Sequence, residues 1–181
     1  MTYSEIASAA SAIAGELLDV VDRHDRVVAR CTRGEVHRRD LLHRSTHLLV
    51  FNGAGEVFLQ KRSLAKDNNP GLWDSSVAGH VDAGESYDDC VLREAREEIG
   101  LSLGAPPERL FKLAASPATG YEFSWVYRCN AQGPFRLDPD EIDDGGWFTP
   151  GALDRWLAER PAELAETVRV LWPVYRRLVQ P

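Results

Sequence analysis

Residues 79–101, GHVDAGESYDDCVLREAREEIGL, carry the strongest constraint on the fold. Ser86 followed three residues later by Asp89 is an N-cap signature, the turn-forming DAGE precedes it, and Gly100 supplies the stop. The segment therefore predicts a helix from about 87 to 99. At about 100° per residue, Asp88, Val91, Leu92, Ala95 and Ile99 share one side, and the four apolar members form a stripe that requires a sheet to cover it. Glu94, Glu97 and Glu98 stand at i, i+3 and i+4, which gathers three carboxylates on one flank. Their repulsion needs an answer. Arg93 and Arg96 can pair with them on a solvated face; alternatively, hard carboxylate oxygens suit Mg²⁺ or Mn²⁺, with waters and substrate phosphates completing the shell.

The 181 residues suffice for one domain with a sizeable core, and 44% hydrophobic and 27% charged residues are ordinary for a globular chain. Cys31, Cys90 and Cys129 are odd in number and widely spaced with no CxxC pair, which points to a cytoplasmic setting rather than a disulfide framework. The start of the chain lacks a basic segment and carries Glu5 and Glu16, unlike a secretory leader. No run of about 18 apolar residues signals a membrane span. A net charge of -7 argues against a nucleic acid polymer as partner and leaves a small anionic ligand in need of cations.

ELLDVVD and RVVARC read as a strand hairpin, and the polar TRGEVHRRD leads into a second, clearer one, STHLLVFN and VFLQKR around GAGE. SLAKDNNPGLWDS has loop composition, and SVAGHV makes a brief strand before the helix. ERLFKLAAS, YEFSWVYRCN and DDGGWFT are further strands. Helices follow in PGALDRWLAER and PAELAETVRVLWPVYRRL, each beginning near a proline, the second kinking or stopping near Pro173. Strands interleaved with helices predict an α/β sandwich with a mixed sheet, in one domain over 1–181 with an N-terminal extension over about 1–16 and C-terminal helices over about 150–179.

From Gly79, Glu85 follows after five residues and Arg93 after seven more, then Glu94, Ala95, Glu97, Glu98, Gly100 and Leu101. This matches at every specified position the box of the Nudix hydrolase family, Gly-x5-Glu-x7-Arg-Glu-U-x-Glu-Glu-x-Gly-U with U apolar, and the chain resembles that family. The resemblance implies an α/β/α sandwich and an Mg²⁺-dependent pyrophosphohydrolase, with Mn²⁺ as the other ion. It also implies that Glu94, Glu97, Glu98 and the Gly79 carbonyl hold metal against a small-molecule diphosphate, a nucleoside diphosphate derivative, while water attacks phosphorus. Arg93 positions the acids, and Glu141 stands where the family often places a further acid. Glu97, Glu98 and Glu141 are rival general bases.

Upstream, residues 42–80 resemble type I isopentenyl diphosphate isomerase, which shares the fold. Arg62 and Lys66 match its diphosphate-binding side. His43, His80 and Glu122 match members of its metal site, a candidate second metal site here, whereas His37 is one residue out of register and Gly120 replaces another acid. Ala78 stands where the isomerase has its catalytic cysteine, and alanine transfers no proton. Three readings follow, in order: hydrolase, noncatalytic nucleotide or diphosphate sensor, isomerase. Trp73, Tyr121 and Trp147 are read as core aromatics, with base stacking as the alternative. A homodimer is an open arrangement.

Overall fold

The computed structural model describes residues 15–179, so most of the expected N-terminal extension lies outside the described residues. Strands β1 (Leu17–Val21) and β2 (Val27–Thr32) form the first antiparallel hairpin. The polar stretch after it, read from sequence only as a connection, is a short helix, α1 (Arg33–Arg38). Thr32 caps it by accepting a hydrogen bond from the Glu35 amide, and Val36 drops into an apolar cluster with Leu18 and Val20. One apolar residue in six gives no periodicity to read.

The central sheet contains β3 (His43–Phe51), β4 (Val57–Arg62), β5 (Trp73–Asp74), β6 (Val77–His80), β7 (Glu108–Leu113), β8 (Glu122–Asn130) and β9 (Ile142–Phe148). Its order is β5-β4-β3-β8-β7, with β6 also beside β3 and β9 beside β4. β3 and β8 run parallel in register from His43↔Glu122 to Phe51↔Asn130, while the other pairs are antiparallel, which makes the sheet mixed. The β3–β4 hairpin pairs only at its base, Phe51↔Val57. Beyond that point the Ser76 hydroxyl accepts from the Val50 amide at 2.8 Å and donates to the Phe58 carbonyl at 2.6 Å, satisfying groups that a continuous ladder would have paired. The opening lets β6 lie against β3, where His47 is in register with Ala78.

Alternation along β3 sorts the two cores. Leu48 and Val50 pack with Val91, Ala95 and Ile99 of helix α2 (Tyr87–Ile99), whereas Leu49 and Phe51 pack with Leu153 of α3 (Pro150–Glu159) and Leu171 and Trp172 of α4 (Glu166–Val179). This is an α/β/α sandwich. Helix α2 starts at the Ser86 cap and ends at Gly100, whose φ of 68° is the left-handed conformation glycine adopts without penalty. The buried face is one position round from the expected stripe: Leu92 is only half-buried, and Glu98, three residues beyond Ala95, turns toward the sheet.

The last helix also departs from expectation. Pro161–Glu163 is a 3-10 turn, and α4 begins at Glu166 because Leu164 is extended and the Ala165 amide donates to the Trp73 carbonyl at 2.8 Å. Pro173 interrupts nothing; α4 continues through it to Val179, held on the sheet by buried Leu171, Trp172 and Tyr175. Trp73 packs edge-on against Phe148 and Trp156, and Trp147 against Phe58, so both are packing residues.

Candidate active site

Helix α2 delivers its carboxylates to the edge of the sheet beside β6. Glu98 is 3% exposed, and its Oε2 accepts from Gln60 Nε2 at 2.9 Å and from the Ala78 amide at 3.0 Å. Burial raises this carboxyl well above its ordinary value, and the charges of Glu94 and Glu141 push it further. Glu94 lies directly over Gly79, where a Cβ would fall 2.1 Å from its carboxyl group. Burial pushes the Glu94 carboxyl up to about 7, even against Arg93, whose Nη1 donates to it at 2.7 Å.

Arg93 is the positioning hub. It grips both oxygens of Glu85 at 2.9 and 2.8 Å, reaches Glu97 at 3.3 Å, and donates to the His80 carbonyl at 3.1 Å. One guanidinium thus faces Glu85, Glu94 and Glu97 together, and its hydrogen bonds to Glu85 hold its own pKa above the ordinary value. Glu97 stays half exposed at the mouth. Glu141, on the segment entering β9, is ion-paired with Lys66 from the loop after β4. The set suits a divalent cation. Its donors are hard oxygens, their charge exceeds what Arg93 neutralises, the missing Cβ of Gly79 leaves room for Glu94, and Glu98 Oε1 has no protein partner among the described residues.

A second cluster lies on the opposite face of β6. His37, His43 and His80 bring one nitrogen each to within 4.8 Å of one another. Glu122 Oε1 is 3.2 Å from His80 Nε2 and 3.5 Å from His43 Nε2. His37, set apart by sequence register, joins the group because α1 folds over it. Burial pushes His37 down to about 4 and His80 down to about 3, so both are neutral at physiological pH. Burial alone would raise the Glu122 carboxyl, but the hydrogen bond from His80 and the close approach of the His43 ring outweigh it and hold it well below the usual range. His43 Nδ1 donates to the Leu41 carbonyl at 2.8 Å, which turns the lone pair of Nε2 inward, and the Nε2 atoms of His37 and His43 are buried without a hydrogen-bond partner among the described residues. Gly120, at φ 63°, ends the turn before β8 and adds no ligand.

The α2 carboxylates and, from the second cluster, His37, His80 and Glu122 line one cleft of about 590 Å³, together with Arg33, Arg62, Lys66 and Tyr121, with His43 buried behind them. Arg62 is engaged by the Asn68 carbonyl at 3.0 Å and by Asp74 at 3.3 Å. Sequence reasoning missed Arg33, which is buried with Asp67 at 3.1 Å and Glu16 at 3.9 Å, and also Gln60 and His47. Arg33 sits in a stretch so rich in charge that nothing in its spacing distinguishes it. Ala78 lies in the cleft wall with no ionisable side chain, so proton transfer of the isomerase kind has no group at that position.

A mixed sheet between helical layers, with a glycine-backed carboxylate helix at its edge, defines an α/β/α sandwich built to hold a cation beside a cleft. A family model described as NUDIX domain matches residues 41–170, and the chain belongs to the Nudix family. It is 38% identical over 147 residues to an uncharacterised Nudix hydrolase of Streptomyces coelicolor, covering 81% of each protein. Another such hydrolase, from Yersinia pestis, is 33% identical over 135 residues, covering 75% of this chain and 74% of that one. The fold matches a crystal structure from Deinococcus radiodurans with a TM-score of 0.79 at 28% identity, over 91% of this chain and 100% of that one. The chain is accordingly a Nudix hydrolase, an enzyme class that acts on phosphorus-containing acid anhydrides and uses divalent metal ions. No helix among the described residues is long and apolar enough to cross a membrane.

Proposed function

We propose that this chain is an Mg²⁺-dependent pyrophosphohydrolase that cleaves the diphosphate linkage of a nucleoside diphosphate derivative. The observation that carries the reading is the convergence of Glu94, Glu97 and Glu98 with Glu141 on a cleft that also holds Arg33, Arg62 and Lys66. Acids suited to the cation and bases suited to phosphate oxygens share one opening.

In this reading Glu94, Glu97, Glu98 and the Gly79 carbonyl hold the ion. When bound, it offsets the diphosphate charge and lowers the pKa of a water that attacks phosphorus. Arg93 keeps Glu94 and Glu97 turned toward the cleft. Arg62 and Lys66 bind phosphate oxygens, and Lys66 leaves Glu141 to do so, which frees that carboxylate as a base. Glu98 and Glu97 remain its rivals for the role. His43, His80 and Glu122, with His37 added by the fold, form a second metal site. The shared sheet beneath both cores supports a single domain.

The test is product release from nucleoside diphosphate derivatives, nucleoside triphosphates and isopentenyl diphosphate, with Mg²⁺, with Mn²⁺ and with chelator. Glu97→Gln and Glu98→Gln should each lose most turnover, on the order of a hundredfold or more, while melting as folded proteins. Normal turnover in both variants would overturn the reading. Ligand-induced stabilisation without any product would favour a sensor instead.

A further inference from the structure

We infer that His47 is a substrate-contacting residue that reads the part of the molecule beyond the diphosphate, by accepting a hydrogen bond from one of its hydroxyl or amino groups. This rests on the function proposed above and extends it to a residue outside both metal clusters.

His47 lies mid-strand in β3. Its neighbour Thr46 meets Cys90 of α2 at 3.3 Å and Leu48 packs beneath that helix, so His47 projects to the other face of the sheet, where it lines the cleft. Its ring is fixed by Ser75. The Ser75 hydroxyl donates its single proton to the Val77 carbonyl at 3.0 Å, and a carbonyl has none to return. The 2.8 Å contact between Ser75 Oγ and His47 Nδ1 must then use the imidazole N–H as donor. Asp74 Oδ1, 3.9 Å from Nδ1, favours the same tautomer electrostatically. Ser75 itself is fully buried and its lone proton is committed, so the trio Asp74, Ser75 and His47 is no nucleophile relay.

The consequence falls on Nε2. It carries a lone pair, it has no protein partner among the described residues, and it is absent from the buried unpartnered atoms, so it opens into the cleft. Burial holds this imidazole below its ordinary pKa, so it stays neutral. A neutral acceptor does not complement phosphate oxygens, which are acceptors too; it complements O–H or N–H. Ribose hydroxyls and the amino or imino groups of a nucleobase are such donors. A buried acceptor built for a donor discriminates strongly, because a ligand lacking that donor leaves it unpaired.

Two probes separate this idea from the hydrolase reading. Binding of methylenediphosphonate, which has no donor beyond the diphosphate, is compared calorimetrically, in Mg²⁺, with binding of the α,β-methylene analogues of ADP, GDP, CDP and UDP. In His47→Leu the best-bound nucleoside analogue should weaken about tenfold or more, with methylenediphosphonate unchanged. His47→Gln, whose amide oxygen reaches toward the position of Nε2, should recover much of the loss. Nitrogen NMR of the free protein should show His47 protonated at Nδ1 and bare at Nε2, and nucleoside analogue should shift Nε2. Equal weakening of both probes, no weakening of either, the opposite tautomer, or an Nε2 shift produced by Zn²⁺ or Mn²⁺ alone would overturn the inference. If neither probe binds the wild type, the nucleoside reading falls and this inference with it; turnover of the substrate panel tests the hydrolase reading independently.

Discussion

Gln60 Nε2 lies 2.9 Å from Glu98 Oε2, a buried amide on β4 holding a buried carboxylate of α2 from across the sheet. The Ala78 amide binds the same oxygen, so Oε2 is occupied by donors and Oε1 is left for the cleft. The carboxylate is oriented before any ligand arrives. Removing a hydrogen bond to a charged group costs about 1.5–3 kcal/mol, so Gln60→Leu should weaken Mn²⁺ binding by roughly tenfold to a hundredfold and lower turnover with it. Calorimetric titration with Mn²⁺ checks this; unchanged affinity would mean that the Ala78 amide alone fixes Glu98.

Gly79 and Glu94 make a tighter pair. A methyl group at Gly79 would stand 2.1 Å from the Glu94 carboxyl, and that carboxyl ends a flexible side chain, so the side chain yields before the backbone does. Gly79→Ala should therefore fold, at a cost of about 1–3 kcal/mol, while swinging Glu94 away from the ion. The expected pattern is a large loss of metal affinity and turnover with a modest fall in melting temperature. A variant that keeps wild-type turnover would remove Glu94 from the proposed ion site.

These two contacts show where the sequence was informative. Helix α2 was legible because its caps, its stripe and its acids lie within one local period, and the box spacing is local as well. The partners of those acids are not. Gln60 meets Glu98 across 38 residues of chain, and His47 meets Ser75 across 28, so each contact depends on strand order, which no spacing encodes. Helix α1 escaped notice because Val36 is its only apolar residue beneath the cap, and with it went the placement of His37 beside His43 and His80. The burial of Glu98 was missed for a smaller reason: a helix rotated by one position moves a flank residue onto the sheet.

The pH dependence of folding should report on Glu94. Its carboxyl rises from 4.5 to about 7 on folding, so the folded state binds this proton more tightly than the unfolded chain does. The stability so contributed is complete below about 4.5, is lost as pH rises toward about 7, and stays lost above that. His37 and His80 titrate in an overlapping window with the opposite sign, since their folded values of about 4 and about 3 lie below 6.5 and they favour folding as pH rises. A difference measurement cancels them. Relative to wild type, metal-free Glu94→Gln should gain on the order of 1–3 kcal/mol between about pH 5 and about pH 8 in denaturant melts. Mg²⁺ at the higher pH should stabilise the wild type more than the variant. Parallel curves for the two proteins would mean that Glu94 is ionised throughout.

The histidine cluster predicts a second class of metal site with its own signature. Three imidazoles and Glu122 offer the nitrogen and oxygen donors that Zn²⁺ takes in tetrahedral sites, whereas the α2 carboxylates offer oxygens alone. Titration of chelator-stripped protein with Zn²⁺ should therefore show a tight phase that disappears in His80→Ala and in His43→Ala but survives in Glu98→Gln. The Mn²⁺ phase assigned to the carboxylates should behave in the reverse way. Because burial already keeps His37 and His80 neutral, Zn²⁺ has no protons to displace from these two, and neither should make its affinity rise between about pH 6 and about pH 8. A tight phase that persists without His80 would place the ion elsewhere.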